Sequence, residues 1–83
     1  MKIENSSNNK FALGFLEKGY FCSNNPEIAI KHFDKSIELN PNLAEAYFNK
    51  GQCLKKLNKD FKQSFDKAKQ LDPNIDTAFK DSK

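Results

Sequence analysis

Apolar stretches separated by short polar breaks divide the chain into helix-length pieces. Residues 1–10, Met-Lys-Ile-Glu-Asn-Ser-Ser-Asn-Asn-Lys, are almost wholly polar and predict a disordered tail. From Phe11 to Cys22 the apolar residues Phe11, Leu13, Phe15, Leu16 and Tyr20 are dense enough for a helix enclosed by neighbours. Ser23-Asn24-Asn25-Pro26 interrupts it. Asn25 then reads as a cap, with Pro26 at the first helical position, where a missing N–H costs nothing. The second helix carries Ile28, Ala29, Ile30, Phe33, Ile37 and Leu39, and it stops at Asn40 because Pro41 disfavours helical geometry in the preceding residue. Asn42 and Glu45 have capping-box spacing ahead of a third helix with Ala46, Tyr47, Cys53, Leu54 and Leu57 on its apolar side. Asn58-Lys59-Asp60 breaks the pattern again. A fourth helix follows, with Phe61, Phe65, Ala68 and Leu71 in a narrow stripe, and Asp72-Pro73 ends it.

These pieces repeat. Residues 15–42 align without a gap on residues 47–74, an offset of 32, with eight identities: Lys18/Lys50, Gly19/Gly51, Phe33/Phe65, Asp34/Asp66, Lys35/Lys67, Leu39/Leu71, Pro41/Pro73 and Asn42/Asn74. The same offset carries Ala46 and Tyr47 onto Ala78 and Phe79. Each unit is a helix, a polar turn, a second helix and an Asn/Asp-Pro stop. A single helical hairpin cannot bury both of its helices, so successive hairpins must share a core. The expected fold is all-α: antiparallel helical hairpins stacked as a short α-solenoid. Its parts are the tail at 1–10, a first hairpin at 11–42, a second at 43–74, and a partial capping helix at 75–83.

The second unit, Ala44-Glu45-Ala46-Tyr47-Phe48-Asn49-Lys50-Gly51 followed by Phe65-Asp66-Lys67-Ala68-Lys69-Gln70-Leu71-Asp72-Pro73-Asn74, resembles a tetratricopeptide repeat. In that family an aromatic, a small residue four later, then an aromatic, a small residue and a proline define the hairpin. Tyr47, Gly51, Phe65, Ala68 and Pro73 would fill those roles, and Phe15, Gly19, Ala29, Phe33, Ser36 and Pro41 those of the first unit. A second register for the first unit, through Leu13, Leu16, Tyr20 and Ala29, places Glu17 at a small-residue position. Two further departures stand out. Lys18 and Lys50 replace an expected leucine, which requires their stems to lie along apolar surface. Phe61 replaces the small residue matched by Ala29 and should push the helices of the second hairpin apart.

The resemblance implies an interaction module whose first helices line a groove for a peptide or partner helix. In the glycine register the groove residues would be Leu16 and Tyr20 from the first unit, and Phe48, Asn49, Gln52, Lys55 and Lys56 from the second. Three large apolar residues beside two lysines suit a partner with acidic and apolar side chains. Lys55 and Lys56 also read simply as the solvated C-terminal end of a helix. Of the carboxylate clamp by which similar repeats grip chaperone C-termini, only Asn49 is matched; Leu16, Tyr20, Thr77 and Asp81 occupy the other positions.

Composition narrows the function further. All 14 basic residues are lysine, they are scattered, and the net charge is only +3. Without arginine the chain lacks the planar fork that reads phosphates and guanine edges, so nucleic acid is not an expected partner. No apolar run approaches the roughly 18 residues that span a bilayer, so no membrane insertion is expected. Cys22, Cys53 and the lone His32 match no disulfide framework or zinc spacing, which predicts no cofactor or metal and an intracellular, reducing compartment, the cytoplasm first. No nucleophile pair or phosphate loop is readable, so an enzyme is not expected. The main expectation is therefore a non-catalytic protein–protein interaction module. The alternative is a small structural subunit or cap embedded in a larger assembly.

Overall fold

Four helices follow one another in the computed structural model, which describes the backbone of residues 2–75 and the side chains of residues 8–75: α1 (Lys2–Phe21), α2 (Pro26–Leu39), α3 (Ala44–Lys56) and α4 (Lys62–Leu71). Each packs on its chain neighbour, α1 on α2, α2 on α3 and α3 on α4, and there is no strand among the described residues. The fold is an all-α helical repeat. The capping helix expected at 75–83 lies, apart from Ile75, outside the described residues.

The N-terminal segment departs from expectation. Residues 2–10 continue α1 rather than forming a loose tail. Polar composition removes a reason to be buried but not the capacity to be helical, since each residue added to an existing helix brings one backbone bond. The helix is gripped by α2 at this height. Asn40 Nδ2 donates to Asn9 Oδ1 at 2.7 Å, and the buried Ser36 Oγ donates to the Ala12 carbonyl at 2.7 Å.

The helix ends show the 32-residue repeat in geometry. The Asn40 N–H donates to Ser36 O at 2.9 Å and the Asp72 N–H to Ala68 O at 2.8 Å, closing α2 and α4 alike. Asn42 N–H then donates to Asn40 Oδ1, and Asn74 N–H to Asp72 Oδ1, each at 3.1 Å. These Asx turns stand around Pro41 and Pro73. The first of them displaces the expected capping box: Asn42 belongs to the turn, and Leu43 is the N-cap of α3, without a side-chain cap bond. Asn25 does precede α2 with Pro26 in its first turn, though its side chain makes no cap bond either. The third turn relies on Asn58, in the left-handed region at φ 59°, where asparagine is tolerated after a helix end.

The apolar interior falls into two adjoining clusters. Leu16, Ala29, Phe33, Ala46 and Cys53 join α1, α2 and α3, with Cys22, Ile30, Ile37 and Leu43 packed against them. Phe48, Ala68 and Ile75 form the second, flanked by Ala44, Tyr47 and Phe65. Gly19 lies directly beneath the Phe33 ring, and a Cβ at Gly51 would come within 2.6 Å of the Phe65 ring. The two hairpins thus close over the same glycine–phenylalanine contact, in the register that pairs Gly19 with Gly51.

Phe61 does not widen the second hairpin at this contact. It caps α4 from outside the helix and turns its ring to the edge of Phe65, 5.3 Å between centroids. The two lysines at leucine positions find different partners. Lys50 Nζ reaches Asp34 Oδ1 at 2.7 Å, tying α3 to α2, while Lys18 Nζ sits over the Phe15 ring at 4.9 Å.

Candidate partner-binding surface

α1 and α3 are the first helices of the two hairpins, and their side chains meet across α2. Asn49 Nδ2 donates to the Tyr20 hydroxyl at 3.2 Å and to the Glu45 carbonyl at 2.7 Å. Farther along, Lys56 Nζ donates to the Ser23 carbonyl at 3.5 Å. Tyr20 also turns its ring edge toward the buried Phe33, 6.2 Å between centroids. Its phenol is therefore half anchored and half wet. Burial and then the nearby Glu45 carboxylate raise the Tyr20 pKa above its ordinary value of 10.0, against the opposing hydrogen bond from Asn49, so the hydroxyl stays protonated at neutral pH.

The seven residues expected at a groove divide into three groups. Tyr20 and Asn49 are in contact, and Gln52 and Lys56 share the Asn49 face at helical spacing, both exposed. Lys55 is exposed but turned aside, with its ammonium over the Phe61 ring at 5.7 Å. Leu16 and Phe48 are corrected outright: at 4% and 7% exposure they belong to the core, beyond a partner's reach. Each lies on the side of its helix that packs into a core cluster, where it gains burial.

The accessible row contains residues the sequence reading missed. On α3 it runs Glu45, Asn49, Gln52, Lys56, at spacings of four, three and four; on α1 the matching row is Leu13, Glu17 and Tyr20. Those spacings were the available signal. The row is acidic at its Glu45 end and basic at its Lys56 end. The remaining chemistry-bearing residues are structural in their contacts. His32 stacks on Phe15 at 6.3 Å. Cys22 and Cys53 are both free, Cys22 half-buried and Cys53 buried, and burial pushes the Cys53 thiol up against the opposing charge of Lys56. Among the described residues no helix is long and apolar enough to cross a membrane, and no cluster of three His, Cys, Asp or Glu side chains could hold a metal ion.

With this geometry in place, comparison with known families is decisive for one segment: residues 32–72 match the tetratricopeptide repeat. Just under half of the chain is therefore similar to that family. The match begins within α2 and takes in all of α3 and α4, so it covers the second hairpin and the C-terminal part of the helix it stacks on. No curated protein and no solved structure matches the chain. The first hairpin is tied to the matched segment by the paired glycine–phenylalanine contacts. A tetratricopeptide repeat suggests protein partners, and the family is generally non-catalytic.

Proposed function

We propose that the chain is a non-catalytic protein–protein interaction module that receives a partner peptide or helix along the face shared by α1 and α3. The observation that carries this reading is the Asn49–Tyr20 hydrogen bond, which links the first helices of the two hairpins. Around it Leu13, Gln52 and Lys56 remain exposed. Tyr20, Asn49, Gln52 and Lys56 are the contacts, with Lys55 at the margin. The mixed row favours a partner with apolar side chains and an acid that meets Lys56. Two free thiols and the absence of arginine favour a reducing, cytoplasmic setting without nucleic acid.

The test is selection of peptides from a display library against the full chain, followed by NMR titration of the enriched sequence. Shifts should centre on Tyr20, Asn49 and Gln52, and the double variant Asn49→Ala with Lys56→Glu should weaken binding at least tenfold. Shifts confined to α2 and α4, or indifference to the double variant, would refute the reading.

A further inference from the structure

We propose that the outer face of α1, formed by Phe11, Gly14, Lys18 and Phe21, docks one amphipathic helix of a partner protein whose chemistry is that of α2. This surface lies away from the Tyr20–Asn49 row and stands or falls separately from it. Phe11 is 60% exposed and Phe21 83% exposed, on the side of α1 opposite the buried Ala12 and Leu16. Single exposed hydrophobics are ordinary, but two phenylalanines on one stripe, with a glycine and a lysine between them, form an apolar face with one cation in it.

The internal repeat says what such a face accepts. Adding 32 to each number turns Phe11, Gly14, Lys18 and Phe21 into Leu43, Ala46, Lys50 and Cys53. Those four residues are how α3 receives α2. Ala46 and Cys53 are buried in the cluster shared with α2, and Leu43, Ile30 and Ile37 pack against it. Lys50 completes the joint through its 2.7 Å ion pair with Asp34. Gly14 holds the place of Ala46, and a Cβ built there would meet nothing within 4 Å. The face thus has open space where the packed joint buries Ala46, and Lys18 stands where the joint has the cation of its ion pair.

The occupant follows from the same correspondence. It presents apolar residues seven apart, as Ile30 and Ile37, with an acid between them, as Asp34, set against Lys18. A second copy of the chain would offer α4, the helix equivalent to α2. There Lys62 and Lys69 replace Ile30 and Ile37, and Lys62 already lies 3.7 Å from Asp66. A second copy has the right shape and the wrong chemistry, so the partner is a different protein.

The experiment titrates the full 83-residue chain with a peptide of residues 25–42, held helical by a hydrocarbon bridge between positions 31 and 35. Lys31 and Lys35 are both exposed and lie off the Ile30–Asp34–Ile37 stripe. Saturable binding is expected. Phe21→Lys and Gly14→Leu should each weaken it at least about tenfold, the scale of one buried phenylalanine, with thermal unfolding not lowered. Gly14→Ala, which imitates Ala46, should retain it. Lys18→Glu should weaken binding of this peptide and restore it when the peptide carries Asp34→Lys. Asn49→Ala should change nothing, which separates this face from the α1–α3 row. No binding, or binding indifferent to Phe21→Lys and to the charge exchange, overturns the proposal. So does a chain that sediments alone as a dimer and becomes monomeric on Phe21→Lys, because the occupant would then be a second copy.

Discussion

Replacing each of the three glycines by alanine separates helix propensity from packing within one molecule. All three lie in helices, so by propensity alone every replacement should stabilise, by about 1 kcal/mol. Gly14 has open space around its missing Cβ, and Gly14→Ala should deliver that gain nearly whole. At Gly19 the new methyl would collide with Phe33, which is 1% exposed and has no room to retreat. Overpacking of this kind costs about 1–3 kcal/mol. With Phe33 boxed in, the upper half of that range applies, leaving a net loss of about 1–2 kcal/mol after the propensity gain. Gly51→Ala meets the Phe65 ring at 2.6 Å, but Phe65 is only half-buried and can swing outward, so its net effect should lie between the other two. For a chain of this size 1 kcal/mol moves the melting temperature by roughly 4–8 °C. Thermal unfolding followed by circular dichroism should therefore rank Gly14→Ala above the parent, then Gly51→Ala, then Gly19→Ala. If Gly19→Ala melts as high as Gly14→Ala, the phenylalanine-over-glycine closure of the first hairpin is wrong, and with it the register that pairs the two hairpins.

Three further outcomes follow from individual contacts. A double-mutant cycle on Asp34 and Lys50, both partly exposed, should give a coupling of about 0.2–1 kcal/mol that shrinks in high salt; zero coupling at low salt would mean the pair does not form. Because the folded pKa of Tyr20 is raised from 10.0, the folded state holds that proton more tightly than the unfolded chain. Its contribution is present below pH 10 and is lost as pH rises through the folded value, so urea unfolding between pH 9 and 11 should fall more steeply for the parent than for Tyr20→Phe, and identical slopes would refute the environment described for Tyr20. With Cys22 half-buried, and Cys53 buried with its thiol pushed up, a disulfide reagent should label Cys22 first; equal rates under native conditions would show that Cys53 is not enclosed.

How far the sequence discloses the molecule depends on which forces act locally. The hairpins were legible because Pro26, Pro41 and Pro73 act on their immediate neighbours and because the 32-residue offset repeats whole contacts, Gly19 under Phe33 and Gly51 against Phe65. The ends of helices were harder. Whether Asn42 caps α3 or serves the turn before it depends on where the Asn40 side chain points, and spacing does not encode that. The N-terminal extension of α1 was hidden because its ties, Asn9 to Asn40 and Ala12 to Ser36, run to residues 31 and 24 positions away. The candidate face was read one helical step off. An alignment fixes height along a helix but not the angle at which core gives way to surface, so Leu16 and Phe48 were counted with Tyr20 and Asn49. Helix packing decides that boundary: Leu16 lies in the cluster shared with α2 and Phe48 in the one shared with α4, while the equally bulky Phe11 and Phe21 stay exposed.

The same correspondence exposes an asymmetry between the two ends of the stack. The joint between the two hairpins sets the outer stripe of α2 against α3. On α2 that stripe is Ile30, Asp34 and Ile37; on α4 it is Lys62, Asp66 and Lys69. Ile30 and Ile37 pack against the core, whereas the three α4 residues are exposed. A lysine stem can cover apolar surface, but its ammonium must stay in water, so the α4 stripe cannot repeat the α2 joint without losing hydration. On α1, Phe11 and Phe21 occupy the positions of Leu43 and Cys53, which are packed in the core shared with α2. The outer face of α1 therefore matches the α2–α3 joint in its residue types, whereas the Lys62–Asp66–Lys69 stripe does not. Stacking on the outer face of α1 calls for a helix that brings apolar residues and an acid in the arrangement of Ile30, Asp34 and Ile37.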